Sequence, residues 1–281
     1  MNTIFGSDAF SPREIAEKIE TIGVTKARLP LVSMIMLGIL AGVFIGLGAM
    51  YYVLIVSDPT LGFGVSRLLG GLVFSMGLIM VIIAGAELFT GNNLLVMAWA
   101  DGKISLREVL KNWAVVCVAN FVGAAGLAVL VYLSRHTEMN GGAVAAAYTK
   151  IAAAKCSLSF QQAFFSGMLC NVLVCLAVWM SQAGRSVADK IVVIIFPVSA
   201  FVAAGFEHSI ANMYLIPMGI LLKTDMATGE AGLISWIGMF KNLGPVILGN
   251  LAGGSGFVAL FYYLIYGREK KSEGKAKQSQ G

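Results

Sequence analysis

Long apolar stretches alternate with short polar ones along the chain. Apolar segments run from about Pro30 to Val56, Val65 to Trp99, Asn112 to Leu133, Ala163 to Met180, Ile191 to Leu222 and Leu243 to Tyr266. Each is close to or above the ~20 residues that carry an α-helix across a ~30 Å hydrocarbon core. Six transmembrane helices are expected, and alternating ten-residue strands, the mark of a membrane barrel, are missing. The second and fifth segments are too long for one straight crossing; about 35 helical residues would reach about 50 Å. Each contains a polar interruption, Gly85-Ala86-Glu87-Leu88-Phe89-Thr90-Gly91-Asn92 and Gly205-Phe206-Glu207-His208-Ser209-Ile210-Ala211-Asn212. Both read glycine, one residue, glutamate, four residues, asparagine. Non-helical backbone at membrane depth survives only when buried in protein or lining a cavity. Helices 2 and 5 are therefore expected to be broken.

The echo extends further. Gly38-x-x-Ala41-Gly42 is matched by Gly167-x-x-Cys170-Asn171, and Lys111-Asn112 with Asn120-x-x-Gly123 by Lys241-Asn242 with Asn250-x-x-Gly253. The order is kept through all three pairs of spans. Each half holds an odd number of spans, so the second half enters the membrane from the opposite face. The fold class expected is an all-α integral membrane protein with two inverted three-helix repeats, over about 30–133 and 161–266, inside a channel domain of residues 30–267. Such repeats place broken helices and the transported species near the midplane. Gly38, Gly42 and Gly46 form a ridge that admits a neighbouring helix closely.

Ser11-Pro12-Arg13-Glu14 is a helix-start signal, and Ile15, Ile19 and Ile22 share a face. A short amphipathic helix over 11–23 is expected within an N-terminal segment, residues 1–29. It is either an interfacial anchor or a movable plug. A charged loop is expected from Asp101 to Lys111, a short helix within 134–160, a polar loop from Lys223 to Lys241, and a disordered tail over 268–281. Of the 20 Lys and Arg residues, fourteen fall on the side of the termini, which places both ends in the cytoplasm.

Composition agrees: 58% of residues are hydrophobic and 12% charged, about half the charged fraction of a soluble domain. The net charge of +5 comes from residues flanking the spans, so nucleic-acid binding is not implied. The four cysteines show no metal or redox spacing. One membrane histidine and scattered glutamates do not supply the three ligands of a zinc enzyme, so an intramembrane metallohydrolase is the weaker reading. No catalytic residue, metal or cofactor is expected.

An ionisable group inside a membrane is a candidate for function. His208 is expected to meet the permeating species, with Thr90 as its hydroxyl partner from the other break. Glu87 and Glu207 occupy equivalent places and are expected to accept hydrogen bonds from backbone N–H groups freed at the breaks; proton relay is the alternative. Asn92, Asn120, Asn171, Asn212 and Asn250 are further candidate clamps. Phe74, Leu78, Leu88, Phe89, Val174 and Phe201 serve either helix packing or hydrophobic constrictions beside His208. Lys155, in an outer loop, either attracts anions or is simply solvated.

Phe74-Ser75-Met76-Gly77-Leu78, Ala86 through Asn93, Cys170 through Met180 and Gly205 through Met213 together resemble the formate/nitrite transporter family over nearly the whole chain, formate channels most. The resemblance implies an aquaporin-like protomer in a homopentamer, in a bacterial cytoplasmic (inner) membrane, with a pore in each protomer. It implies passage of formate, nitrite, hydrosulfide, acetate or lactate, as anions or acids. It also places His208 and Thr90 at the pore centre, Phe74, Leu78, Phe89, Val174 and Phe201 at constrictions with Leu88 in the adjoining loop, and Lys155 in a vestibule. The helix over 11–23 matches one proposed to gate formate channels. Glu87 and Gly91 stand where formate channels often carry Asp and Ser, whereas Phe206, a Tyr in many nitrite members, leans toward formate.

Overall fold

The computed structural model describes residues 9–223 and 233–267. The expected tail over 268–281, most of the N-terminal start, and part of the loop from Lys223 to Lys241 lie outside these residues. The described chain is helical, and six helices are long and apolar enough to cross a membrane. They are α2 (Leu31–Val56), α3 (Phe63–Met80) prolonged by a π-turn to Gly85, α5 (Leu106–Leu133), α7 (Phe160–Ser181), α8 (Val187–Ala204) and α10 (Trp236–Leu251) prolonged by wide π-helical turns to Gly267. Among the described residues four shorter α-helices, with short 3-10 turns between some of them, complete the fold: α1 (Pro12–Ala27), α4 (Leu95–Ala100), α6 (Ala143–Cys156) and α9 (Ser209–Leu222).

Both predicted breaks are present. The first starts at Gly85 and resumes helix only through a 3-10 turn at Gly91–Leu94. The second occupies residues 205–208. Each is entered through a left-handed glycine, φ +84° at Gly85 and +77° at Gly205, a conformation that costs other residues energy. Contacts pair the halves: α2 packs on α5 as α7 packs on α10, and α1 on α4 as α6 on α9. The repeat is thus one helix larger than the three spans, because α1 is the counterpart of α6. The glycine ridge serves α2 against α5. A Cβ at Gly42 would collide with the Asn120 carbonyl, and one at Gly123 with that of Ile39.

Several boundaries differ from expectation. α1 does not end at Gly23 but continues a turn to Ala27. Gly23 is there for packing: its added Cβ would lie 3.1 Å from that of Ala98. The charged stretch from Asp101 to Lys111 is not all loop. Ser105 and Glu108 form a capping box, and α5 starts at Leu106, before the expected Asn112. Boxes at Ser159/Gln162 and Ser186/Asp189 likewise start α7 and α8 early. α10 begins at Trp236, capped by Ser235, inside the expected loop.

Candidate functional site: two broken helices and a histidine between two cavities

Each break is held by an asparagine from the following span. Asn120 Oδ1 accepts from Phe89 N (2.9 Å) while its Nδ2 donates to the carbonyls of Gly38 (2.7 Å) and Glu87 (2.8 Å). Asn250 repeats this, accepting from Ser209 N (3.1 Å) and donating to Gly167 O (2.7 Å) and Glu207 O (3.1 Å). Freed backbone groups in a low-dielectric interior need such partners. Asn171 ties the halves together, donating to Asn250 O (2.7 Å), Asn93 Oδ1 (3.0 Å) and Thr90 O (3.3 Å).

The glutamates do not take the backbone N–H groups expected of them. Glu87 N–H itself goes to Leu37 O and Glu207 N–H to Ser166 Oγ, and the carboxylates hold side chains. Glu87 pairs with Lys26 (2.8 Å) and accepts from Asn92 Nδ2 (2.7 Å), which also donates to Asn112 Oδ1 (2.9 Å). Glu207 pairs with Lys155 (2.7 Å) and accepts from Asn212 Nδ2 (2.6 Å), which also donates to Asn242 Oδ1 (2.7 Å). Asn112 and Asn242 close the rings on the carbonyls of Lys26 (3.2 Å) and Lys155 (2.9 Å). Both carboxylates are buried, and burial without a cationic partner would be costly. Lys155 is therefore not merely solvated. Lys26, Asn112 and Asn242 had not been singled out for a role. Their signal was present: Lys26 and Lys155 are separated by the same offset as Gly38 and Gly167.

At the meeting point of the breaks, His208 Nε2 lies 2.9 Å from Thr90 Oγ1, both residues buried. His208 is also the N-cap of α9, its Nδ1 accepting from Ala211 N at 3.1 Å. That bond assigns the tautomer, since a nitrogen accepting a backbone N–H carries no proton. Nε2–H then donates to Thr90, whose own hydroxyl hydrogen is left to point elsewhere. The Thr90 carbonyl is fixed by Asn171 and by the Cys175 thiol (3.4 Å).

One cavity reaches His208, and a second is lined by Leu88 and Gly91, on either side of Thr90 in sequence. The first, of about 520 Å³, is lined by Lys155, Glu207, His208, Phe74, Phe201 and Asn212 among others. The second, about 70 Å³, lies under α1 and is lined by Lys26, Leu78, Leu88, Gly91 and Ile19 among others. Phe74 and Phe201 meet edge to face with centroids 5.7 Å apart, and Phe201 stacks on the His208 ring at 5.9 Å. Of the six apolar candidates, Phe74 and Phe201 thus border the larger cavity and Leu78 and Leu88 the smaller. Phe89 and Val174 line neither cavity and sit in the core. α1 is fastened over its cavity by Lys26 to Glu87, by Lys103 to Glu20, and by Phe10, whose ring lies between Lys18 and Arg185.

Comparison with known proteins points one way. The family model described as Formate/nitrite transporter matches residues 13–264. The formate channel FocA of Escherichia coli (strain K12) is 39% identical over 275 residues, covering 93% of this chain and 96% of that protein. The uncharacterized transporter YrhG of Bacillus subtilis is 40% identical over 270 residues, covering 95% and 97%. Among solved structures, a pentameric formate channel with formate bound superposes with TM-score 0.77 at 40% identity, over 84% of this chain and 97% of that one. An FNT family ion channel gives 0.80 at 29% identity, over 90% and 98%. With a family match spanning nearly all of its six spans and both breaks, the chain belongs to the formate/nitrite transporter family.

Proposed function

We propose that the protein conducts small monovalent oxyanions, formate foremost, across the cytoplasmic membrane as their neutral acids. It does so as a homopentamer with a pore in each protomer and both termini in the cytoplasm. The observation that carries this reading is the Thr90–His208 hydrogen bond, 2.9 Å long, at the end of a cavity that Lys155 also lines, with a second cavity by Lys26, Leu88 and Gly91. Formate as the substrate is supported by the relatives named above, among them a formate channel and a structure with formate bound.

A bare anion faces a barrier of tens of kcal/mol in an idealised apolar medium. Lys155, its charge offset by Glu207, offers its remaining ammonium hydrogens to the anion in the larger cavity. As the anion loses water between Phe74 and Phe201, desolvation favours its protonated form. The neutral acid then passes His208 and Thr90 and leaves past Leu78 and Leu88. In the tautomer set by Ala211, His208 supplies a hydrogen bond through Nε2–H and Thr90, and the acid's proton comes from solvent. Passage as an anion beside a cationic His208 would require Nδ1 to give up its bond to Ala211 N, and no observation favours it.

Uptake into proteoliposomes, comparing formate, nitrite and hydrosulfide over a range of external pH, tests the reading. Formate uptake should exceed that of bare lipid and decline as external pH rises. Formate uptake no faster than through protein-free vesicles would refute it.

A further inference from the structure

The two lysine rings differ at the asparagine oxygen, and Asn242 Nδ2 makes a further bond to Glu207 Oε2 (3.2 Å) that Asn112 does not make to Glu87. On the α1 side, Lys26 Nζ donates to both Glu87 Oε1 (2.8 Å) and Asn92 Oδ1 (2.9 Å). On the opposite side, Lys155 Nζ meets Glu207 Oε1 at 2.7 Å, and Asn212 Oδ1, the counterpart of Asn92 Oδ1, is buried with no hydrogen-bond partner among the described residues. The Asn212 amide cannot be turned round to hide that oxygen. Its Nδ2 faces two acceptors, Glu207 Oε2 at 2.6 Å and Asn242 Oδ1 at 2.7 Å, and an oxygen there would oppose both. Asn171 Oδ1 is also unpartnered but lines neither cavity. Asn212 lines the larger cavity together with Lys155 and His208.

An unmatched buried acceptor is costly unless something fills it. The species passing this point changes its hydrogen-bonding character. An oxyanion offers only acceptors, which suit Lys155. Its neutral acid adds a strong O–H donor, which needs an acceptor. We propose that Asn212 Oδ1 receives the O–H of the neutral acid, so that Lys155 and Asn212 together select oxyacids over hydrosulfide, whose S–H is a weak donor. The inference rests on the channel reading above and gives its substrate class.

The test compares uptake of formate and hydrosulfide, each corrected for protein-free vesicles, in three full-length variants. Asn212→Ser keeps one hydroxyl donor but, being shorter, leaves no oxygen at the position of Oδ1. Asn212→Gln keeps both the acceptor oxygen and the donor on a side chain one methylene longer. Asn92→Ser makes the matched change in the other half. Asn212→Ser should lower the formate-to-hydrosulfide ratio about fivefold, the size of one neutral hydrogen bond, while the other two keep the wild-type ratio even where total flux falls. An unchanged ratio in Asn212→Ser, or an equal drop in Asn92→Ser, overturns the assignment. If Asn212→Ser does not assemble, Asn212→Ala, which also removes the acceptor, decides: a lowered ratio supports the assignment and a wild-type ratio overturns it. Wild-type protein that passes hydrosulfide but no formate would refute the formate reading above, and this inference with it.

Discussion

At the scale of single residues, the site turns on His208 serving two purposes, capping α9 through Nδ1 and reaching Thr90 through Nε2. His208→Asn separates them. Asparagine is a good N-cap, so the protein should fold and assemble, while the donor to Thr90 is lost and formate uptake falls about tenfold or more. Unchanged uptake would remove His208 from the pathway. Thr90→Val should fall similarly, because it strands the Nε2–H. His208 and Thr90 were legible in the sequence because an imidazole in an apolar run needs a partner and the matching break offered a hydroxyl. Lys26 was not, because an amphipathic surface helix reads as solvated until its partner Glu87 is known. The glutamates were placed correctly as a pair, but pattern alone does not say that Asn120 and Asn250 take the backbone while the carboxylates take the lysines.

At the scale of elements, α1 is the piece most open to perturbation. Lys103 lies between Glu20 and Asp101. Partial burial pulls its pKa down, but the hydrogen bonds and charges of these two carboxylates outweigh it and raise it above the ordinary 10.5. The pairing therefore stabilises α1 fully below that value and is lost as pH rises through the raised one. Lys103→Ala leaves Glu20 buried without its cation. It should loosen α1 by about 1–2 kcal/mol, less than for a fully buried pair because Lys103 is 35% exposed, and amide exchange in α1 should quicken relative to α2. At the other end, hydrogen bonds from the Ser11 backbone and hydroxyl hold the Glu14 carboxyl below its ordinary 4.5. That contribution is present above 4.5 and disappears as pH falls through the lowered value, so the first turn of α1 should fray in acid. Exchange at residues 12–15 that does not respond to acid would contradict this. Between spans, Gly42→Val should prevent assembly, since its side chain would overlap the Asn120 backbone; the yield of folded protein in detergent reports it. The cap of α1 was read from Ser11 and Glu14, and the same signal at Ser105 and Ser159 would have corrected α5 and α7. The π-helical turns from Ala252 to Leu260 carry no such signal. They go with the close fit of Gly254 against Asn171, Asn93 and Cys175, a tertiary fact.

At the scale of the molecule, the inverted repeat builds the scaffold and its mismatches furnish the site. Lys26 and Lys155, Glu87 and Glu207, Asn120 and Asn250 occupy matching places and share most of their bonds, yet the position equivalent to His208 is Leu88, and that of Ser209 is Phe89. The repeat was legible because backbone breaks demand the same glycine, glutamate and asparagine wherever they occur. Both short helices were expected, but their place in the repeat was not, because α1 and α6 share a single lysine at matching places and little other pattern. One half thus offers a polar face and the other a greasy one, and a neutral acid suits both. The most direct test measures formate uptake into proteoliposomes with the membrane potential clamped at opposite signs and the internal pH recorded. Neutral-acid passage predicts uptake independent of the potential, with the lumen acidified by about one proton per formate. Uptake that follows the potential without acidification would contradict it.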